Sequence, residues 1–255
     1  MLRTVNATRY VTPLREGGSL PAIIEADDDG MYVLKFRGAG QGPKALIAEL
    51  IAGELARALT LPVPEIVLVE LNPELARTEP DPEIQDLIRA SSGLNLAMDY
   101  LPGSITFDPL VTQPDAELAS AIVWFDAFVS NVDRTPRNPN ILTWHKRLWL
   151  IDHGAALYFH HGSSEFVSRS RLRFQMIKEH ILLPFATQLA EADARLAPLL
   201  TPEIIRSVVE QVPEIWLNSG QADYDVSGLR REYEQYLTAR LAEPRTFFLE
   251  TDDVK

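Results

Sequence analysis

Three polar side chains occur in an order that suits phosphoryl transfer. Asp133 and Asn138 lie five residues apart, and Asp152 follows fourteen residues after Asn138. In a phosphoryl-transfer site one carboxylate accepts the proton of the attacking hydroxyl, while an amide and a second carboxylate hold the Mg²⁺ that clamps ATP. The spacing therefore predicts an acidic site for Mg²⁺ and ATP, provided that other elements bring these groups together.

The expected local structure turns these groups towards open space. Pro136 keeps the segment out of a helix, so Asp133 is predicted on a loop directly after a long helix. Asp152 follows the apolar residues 148–151, which are predicted as a strand. A charge at the exit of a buried strand needs a partner such as a metal ion. The alternative is that the Asp and Asn of the loop only bend the chain, as these residues commonly do.

Lys35 is the candidate cation for the phosphates of ATP. It lies on the strand predicted over 31–36, where successive side chains alternate between faces, and it shares one face with Met31 and Val33. Those apolar neighbours could cover an adenine ring while the lysine reaches the phosphates. The alternative is a lysine at the end of a strand that extends its charged group into water.

Two glutamates of the next predicted helix, 45–59, are candidates to hold this lysine. At about 3.6 residues per turn, Glu54 falls within the stripe of large apolar residues, whereas Glu49 falls among alanines that allow close approach. Periodicity does not choose between the two glutamates, and either could instead be a solvated charge on the helix.

A glycine turn is the candidate phosphate cradle. Gly17, Gly18 and Ser19 lie between two predicted strands, where paired glycines let backbone N–H groups approach a phosphate. No Gly-Lys-Ser/Thr sequence follows, so this is not a Walker A loop, and a simple hairpin is the alternative.

Other chemistries have less support. His160 and His161 are adjacent on what is predicted as a strand, so their side chains would point in opposite directions. No third ligand lies at a useful spacing for a metal. The sequence contains no cysteine and no Gly-x-Ser-x-Gly nucleophile elbow.

The composition argues against some partners. Lys and Arg total 24 against 36 Asp and Glu, which gives a formal net charge of −12. With no basic run apparent, nucleic acid is not expected as a partner. The N-terminus lacks the apolar core of a signal peptide, and no apolar run approaches the length of a membrane span. Together with the absence of cysteine, these features predict a cytoplasmic protein without a membrane partner.

The predicted elements divide the chain into two parts. Residues 1–101 read mainly as strands with one long helix. Residues 102–255 begin with a helix over 115–130, the polar loop and a hairpin, and the remainder is mainly helical. The helices of that remainder are predicted over 179–188, 189–199, 202–216 and 226–242. This predicts an α+β fold with two lobes, a β-rich N-lobe with one long helix and a mainly helical C-lobe, whose crevice could hold a ligand.

These motifs, in this order, resemble the HipA-like kinases, which belong to the protein-kinase-like superfamily. The resemblance is carried by residues 131–142, Asn-Val-Asp-Arg-Thr-Pro-Arg-Asn-Pro-Asn-Ile-Leu, and by Leu-Pro-Val-Pro at 61–64 after the first long helix. It is closest to the short, stand-alone members of the family. The loop also resembles the Asp-Arg-x-x-x-x-Asn pattern of phosphoinositide kinases.

The resemblance implies a role for each candidate. Asp133 would be the catalytic base, and Asn138 and Asp152 would bind Mg²⁺. Lys35 would bind the ATP phosphates, and its partner would be Glu49, by its distance ahead of the Leu-Pro-Val-Pro sequence. The connector between the two parts would be the hinge whose backbone meets adenine. The candidate hinge contacts are Asp99, Tyr100 and Leu101.

The function implied is that of an ATP- and Mg²⁺-dependent kinase, with Ser or Thr of a protein substrate as the family's acceptor. A nucleotide-binding pseudokinase, a lipid or small-molecule kinase, and a Mg²⁺-dependent hydrolase of another fold are alternatives. Residues 131–133 read Asn-Val-Asp instead of His-Arg-Asp, and 152–154 read Asp-His-Gly instead of Asp-Phe-Gly, so switching through that Phe is not assumed. The family's toxin kinases are longer and pair with a DNA-binding antitoxin, and neither toxicity nor that partner is expected here.

Overall fold

Strands dominate the first part of the chain and helices dominate the rest, so the α+β class is confirmed. The computed structural model describes residues 2–14, 20–40, 42–162, 166–218 and 225–248. The predicted turn at Gly17, Gly18 and Ser19 lies outside the described residues. The division into two lobes at residue 101 stays a prediction.

Five strands close into a barrel. They are β1 (Thr4–Pro13), β2 (Ala22–Ala26), β3 (Met31–Lys35), β4 (Ile66–Leu71) and β5 (Gly93–Asp99). Their spatial order is β1-β2-β3-β5-β4, and β1 closes the barrel by pairing in parallel with β4, while the other pairs are antiparallel. Closure removes the free sheet edges. β3 is bonded to β2 on one side and to β5 on the other, so its side chains are held in a defined register.

Side chains of β3 alternate between the barrel interior and the opposite face, as the sequence predicts. Tyr32 and Leu34 are buried in the barrel core. Lys35 lies on the opposite face with Met31 and Val33, which are less buried. The barrel therefore presents the lysine outside its own core.

Helices and a small sheet make up the rest of the fold. The helices are α1 (Pro43–Ala58), α2 (Pro82–Ala90), α3 (Ala116–Val129), α4 (Leu189–Leu196), α5 (Pro202–Val209), α6 (Glu214–Leu217) and α7 (Val226–Leu241). Short 3₁₀ helices lie at Pro73–Thr78, Tyr158–His161, Phe166–Arg169, Gln175–Glu179, Leu183–Phe185 and Ala197–Leu199. A second sheet has the strand order β6 (Ile105–Thr106), β7 (Ile141–Trp144) and β8 (Arg147–Leu150). Among the described residues, no helix has both the length and the apolar character needed to cross a membrane.

The helix α1 joins the barrel to the helical part. Pro43 lies in its first turn, where the missing N–H is tolerated. The helix packs against β4 and β5 on one side and against α5 and α6 on the other. A Cβ atom on Gly53 would overlap Cδ1 of Ile66, so this glycine permits the close approach of α1 to β4. The buried apolar side chains of α1 belong to the same core as those of α3 and α7.

The helix predicted over 179–188 is wrong. This segment begins with the last residue of the 3₁₀ helix Gln175–Glu179, and its only other helical residues are those of the 3₁₀ turn Leu183–Phe185. The backbone N–H of Ile181 donates to the carbonyl of Arg134 at 3.1 Å, so it bonds to the polar loop rather than to its own segment. Pro184 removes a further donor. Bonds to the loop thus replace the bonds that a helix would make.

Two further expectations change. The helix predicted over 202–216 is interrupted at Pro213, which precedes the short α6. His160 and His161 lie in a 3₁₀ helix rather than on a strand, and their Nε2 atoms are 3.1 Å apart, so the expectation that they point in opposite directions is wrong. Even so, the described residues contain no group of three or more His, Asp or Glu side chains that could hold a metal.

Candidate active site

Lys35 forms an ion cluster with two carboxylates. Its Nζ donates hydrogen bonds to Oε2 of Glu49 at 2.6 Å and to Oδ1 of Asp152 at 2.5 Å. The Glu49 side chain is fully buried, whereas the Asp152 side chain is 43% exposed. The cluster is therefore closed on the side of α1 and open on the side of Asp152. Glu54, the other candidate partner, pairs with Arg57 on its own helix.

The charges of this cluster stabilise one another. Burial alone would lower the pKa of Lys35, but attraction to Asp152 and Glu49 outweighs it and raises that pKa above its ordinary value. Burial alone would raise the pKa of Glu49, but the charge of Lys35 outweighs it and lowers that pKa to about 2. Lys35 and Glu49 are therefore both charged near neutral pH, and the lysine is held as a cation.

The backbone of Asp152 turns its carboxylate towards this lysine. Its φ is 55°, in the left-handed region that Asp enters more readily than most residues other than glycine. The preceding residue, Ile151, is held by hydrogen bonds at both its N–H and its carbonyl. The N–H of Ile151 donates to the carbonyl of Asn140 at 3.0 Å, and the carbonyl of Ile151 accepts from Nη1 of Arg134 at 3.4 Å. The exit of β8 is thus bonded to the polar loop.

His153, at the position of Phe in the usual kinase motif, packs as an aromatic side chain. It is fully buried, and its ring lies edge-on to Phe125 with centroids 6.4 Å apart. Its Nδ1 lies 3.6 Å from Oε1 of Glu49, too far for a good hydrogen bond. Neither ring nitrogen has a hydrogen-bond partner among the residues that the structure describes.

Asp133 lies on the loop after α3, as predicted, and two amides hold one of its oxygens. Oδ2 accepts from Nδ2 of Asn138 at 2.7 Å and from Nδ2 of Asn140 at 3.3 Å. The backbone N–H of Asp133 donates to Oδ1 of Asn131 at 3.2 Å. Both amides use Oδ2, so Oδ1 is left available to a ligand within the described part of the chain.

The surroundings make Asp133 a better proton acceptor than an ordinary aspartate. Burial raises its pKa, the amide of Asn140 opposes this, and the negative charge of Asp152 adds to the rise. A base works best when its pKa approaches the operating pH. Asn140 was not predicted as a site residue. It is the second Asn of an Asn-Pro-Asn sequence, and this repeat could have identified it.

A second, fully buried charge cluster supports the loop. Oδ2 of Asp126 on α3 accepts from Nε of Arg134 at 2.6 Å and from Nε2 of His180 at 2.9 Å. Oδ1 of Asp126 accepts from Nδ2 of Asn131 at 3.0 Å. The Nη1 of Arg134 also donates to the carbonyl of Asn140. One guanidinium therefore ties α3 to the loop that carries Asp133.

Neighbouring charges and hydrogen bonds determine which groups of this buried cluster carry protons. Burial alone would raise the pKa of Asp126, but Arg134 and His180 outweigh it and hold the pKa below its ordinary range. Burial lowers the pKa of His180. Its Nδ1 accepts from the N–H of Leu182 at 3.0 Å, so the proton of the neutral ring lies on Nε2 and points to Asp126.

The oxygen atoms near Lys35 fit a Mg²⁺ ion that is shared with a nucleotide. Asn138 uses its Nδ2 to bond Asp133, which leaves its Oδ1 as a possible ligand together with the carboxylate of Asp152. Mg²⁺ commonly takes only one or two protein oxygens and completes its shell with phosphates and water.

Of the three candidate hinge residues, one has a backbone N–H that has no partner among the described residues. The N–H of Asp99 donates to the carbonyl of Glu65 at 2.8 Å, and that of Tyr100 donates to the carbonyl of Met31 at 3.0 Å. Both donors are therefore used by the barrel. The N–H of Leu101 has no partner within the described ranges, so it is the one of the three that remains available to an adenine ring.

A basic segment lies outside the residues that the sequence motifs predict for the site. Residues 168–178 contain Arg169, Arg171, Arg173 and Lys178 and no acidic residue. All four side chains are exposed. The signal was present, because such a segment stands out in a chain with a net charge of −12.

The comparisons with known proteins assign the family. A family model described as HipA-like kinase matches residues 8–245. The chain belongs to the HipA-like kinase family. The resemblance drawn from the sequence is confirmed, and membership of this family supports a phosphotransferase activity. A search of curated proteins found no match.

A search of solved structures also found similar chains. The crystal structure of CtkA, a proinflammatory kinase of Helicobacter pylori, matches with a TM-score of 0.55 and 12% identity over 96% of this chain and 98% of that chain. The Golgi casein kinase with Mn and ADP bound matches at a TM-score of 0.49 and 11% identity, over 94% of this chain and 73% of that one. Another Golgi casein kinase structure matches at 0.47 and 11%, over 94% and 74%. At such identity the likeness to CtkA shows a shared fold.

Proposed function

We propose that this HipA-like kinase is an active enzyme that uses ATP and Mg²⁺ to phosphorylate a hydroxyl, with Ser or Thr of a protein as the acceptor. The observation that carries the proposal is that Lys35, Glu49 and Asp152 come from three distant segments and meet in one hydrogen-bonded cluster. Asp133 is close enough to Asp152 for that charge to raise its pKa. A fixed cation, metal-ligating oxygens and a base are the parts that phosphoryl transfer needs.

Lys35 would bind the phosphates by exchanging one of its two partners. Glu49 is fully buried and stays with the lysine, whereas Asp152 is 43% exposed and can be replaced by a phosphate oxygen. Asp152 would then be free to join Asn138 as a metal ligand. Bound ATP with Mg²⁺ supplies the phosphoryl group and the charge that neutralises it.

Asp133 would act on the acceptor through Oδ1, because Asn138 and Asn140 already occupy Oδ2. The acceptor hydroxyl gives its proton to Oδ1 and forms a bond to the γ-phosphorus. The bond from that phosphorus to the oxygen of ADP breaks at the same time. The two amides keep the carboxylate oriented for this transfer.

The decisive experiment replaces Asp133 by Asn. We expect Asp133→Asn to bind ATP·Mg as the wild type does and to lose about 10²–10⁴-fold in the rate of phosphate transfer, which is the usual contribution of a general base. Binding is measured by calorimetry, and transfer is measured with γ-labelled ATP on a lysate and in autophosphorylation.

Asp86→Asn is the matched control, since Asp86 is an exposed carboxylate on α2, with 80% of its side chain accessible. It should leave transfer unchanged. If Asp133→Asn transferred phosphate as fast as wild type, the assignment of the base would be wrong. If wild type bound ATP·Mg and labelled no protein, lipid or small molecule, the chain would be a nucleotide-binding module instead of a kinase.

A further inference from the structure

A groove lies directly beside the loop that carries Asp133. Its volume is about 820 Å³. One wall is formed by Thr135, Pro136 and Arg137 of the loop, and the other by the segment from Lys178 to Pro184. The groove is thus bounded by the residues that follow the proposed base almost immediately in sequence. A substrate segment lying in it would contact the loop that carries that base.

The two walls of the groove are fixed relative to each other. The N–H of Ile181 donates to the carbonyl of Arg134 at 3.1 Å. His180, which also lines the groove, donates from Nε2 to the buried Asp126 at 2.9 Å. The far wall is therefore bonded to the same buried cluster that supports the loop. A ligand in this groove would meet a surface with a defined position relative to Asp133.

Two exposed cations line the groove. Arg137 on one wall and Lys178 on the other are exposed, and neither forms an ion pair with any residue that the structure describes. The surface arginines Arg77, Arg89 and Arg206, by contrast, each pair with a carboxylate. In a chain with 36 acidic and 24 basic residues, two cations left without carboxylate partners next to a proposed active site call for an anionic ligand.

One carboxylate and several apolar side chains complete the lining. Glu179 lines the groove beside Lys178, so the groove attracts anions at two points rather than along its whole length. Ile181, Leu183 and Pro184 add apolar atoms to the lining. Two cations together with apolar surface suit an extended peptide whose acidic side chains alternate with other residues.

We propose that this groove binds the phosphoacceptor segment of a protein substrate and selects Ser or Thr residues flanked by Asp or Glu. The inference rests on the proposed kinase function and names its substrate class. The acceptor hydroxyl lies at Oδ1 of Asp133, and the flanking carboxylates pair with Arg137 and Lys178. The net charge of −12 makes most of the remaining surface unfavourable for an acidic segment.

The test uses two Ser peptides of the same length, one flanked by Asp and one flanked by Lys. We expect the wild type to phosphorylate the Asp-flanked peptide with at least about tenfold higher kcat/KM. The double variant Arg137→Glu/Lys178→Glu should lose this preference, with KM for the Asp-flanked peptide raised about tenfold and kcat nearly unchanged. Added salt should weaken the wild-type preference in the same direction.

Lys146→Glu is the matched control, because Lys146 is an exposed cation on the β7–β8 turn that does not line the groove. It should keep the wild-type preference. Equal kcat/KM for the two peptides in wild type would overturn the inference while leaving the kinase function intact. So would a preference that survives the double charge reversal.

A binding measurement separates this inference from the kinase function. Fluorescence anisotropy with the labelled Asp-flanked peptide at low salt should show binding that the double variant loses and Lys146→Glu keeps, whether or not phosphate is transferred. If the peptide did not bind, and vesicles containing a phosphoinositide bound through Arg137 and Lys178 instead, the substrate class would be a lipid and the proposal would be wrong.

Discussion

Two charged clusters adjoin the loop that carries Asp133, and they differ in access to water. In the first, Lys35 bridges buried Glu49 and half-exposed Asp152. In the second, Arg134 pairs with Asp126, and both side chains are fully buried. The first cluster has one partner that a ligand can replace, whereas the second has none. We therefore assign ligand exchange to the first and support of the loop to the second.

The two clusters use different cations, and each cation suits the role assigned to its cluster. The ammonium of Lys35 is a compact charge on a flexible stem, which suits a group that must change partners. The planar guanidinium of Arg134 donates to Asp126 and to the carbonyls of Asn140 and Ile151 at once. A fork with several fixed donors suits a permanent junction between α3, the loop and β8.

The largest expected effect comes from removing the buried cation. Arg134→Met leaves Asp126 charged and without its main partner in the interior, so we expect the free energy of unfolding to fall by about 3–5 kcal/mol. Urea denaturation at pH 7 measures this. Arg77→Met is the control, since Arg77 forms an exposed pair with Glu74 on a surface 3₁₀ helix, and it should change stability by less than about 1 kcal/mol. Equal effects of the two substitutions would contradict the comparison.

The open cluster should respond differently to the loss of its cation. Lys35→Met leaves Glu49 buried and unpaired, but Glu49 can become neutral by taking up a proton and Asp152 can turn to water, so we expect a smaller loss of stability, about 1–3 kcal/mol. Its main effect should be on the proposed reaction, with kcat/KM lowered at least about 100-fold because the phosphates lose their cation. A variant that unfolds as readily as Arg134→Met, or that keeps wild-type kcat/KM, would remove the distinction.

The smallest expected effect is that activity and stability are lost at different pH values when the solution is acidified. The pKa of Glu49 is lowered from 4.5 to about 2, so its stabilising charge is fully present above 4.5 and is lost as the pH falls towards 2. The pKa of Asp133 is raised above 3.8, so its carboxylate is protonated, and the base is lost, at a higher pH than for an ordinary Asp. Acidification should therefore reduce kcat/KM before it reduces the free energy of unfolding.

Parallel pH profiles of kcat/KM and of urea unfolding check this order. The acidic limb of the activity profile should lie above the pH at which stability begins to decline steeply. Coincident profiles would show that acid acts on the fold as a whole rather than on Asp133. The profile of Asp86→Asn should match that of wild type, since this exposed carboxylate takes no part in either cluster.

Elements defined by local patterns could be predicted from the sequence. The strand with Lys35, the helix α1 and the hairpin of β7 and β8 were predicted within a few residues, because alternation and apolar periodicity act over short distances. The segment 179–188 was predicted wrongly because its backbone bonds to a loop that is far away in sequence. Closure of the barrel by β1 and β4 is a long-range pairing of the same kind.

The residues of the candidate site also differ in whether a local pattern in the sequence records them. Asp133, Asn138 and Asp152 were found because motif spacing records them, and the resemblance selected Glu49 where periodicity left two glutamates open. Asp126 and His180 were not found, since a pair separated by 54 residues leaves no local pattern. Lys178 of the groove belongs to a basic segment that was visible in the sequence but matches no motif, and it was not assigned a role.

The packing of α1 bears on how such an enzyme could be inhibited. An inhibitor that acts by displacing the helix that carries Glu49 would have to separate α1 from β4 and β5 on one side and α5 and α6 on the other. Each Å² of apolar surface exposed in this way costs roughly 25 cal/mol. Selective compounds should therefore be designed for the half-open side at Asp152 and for the groove beside Arg137, which they can enter without moving the helix.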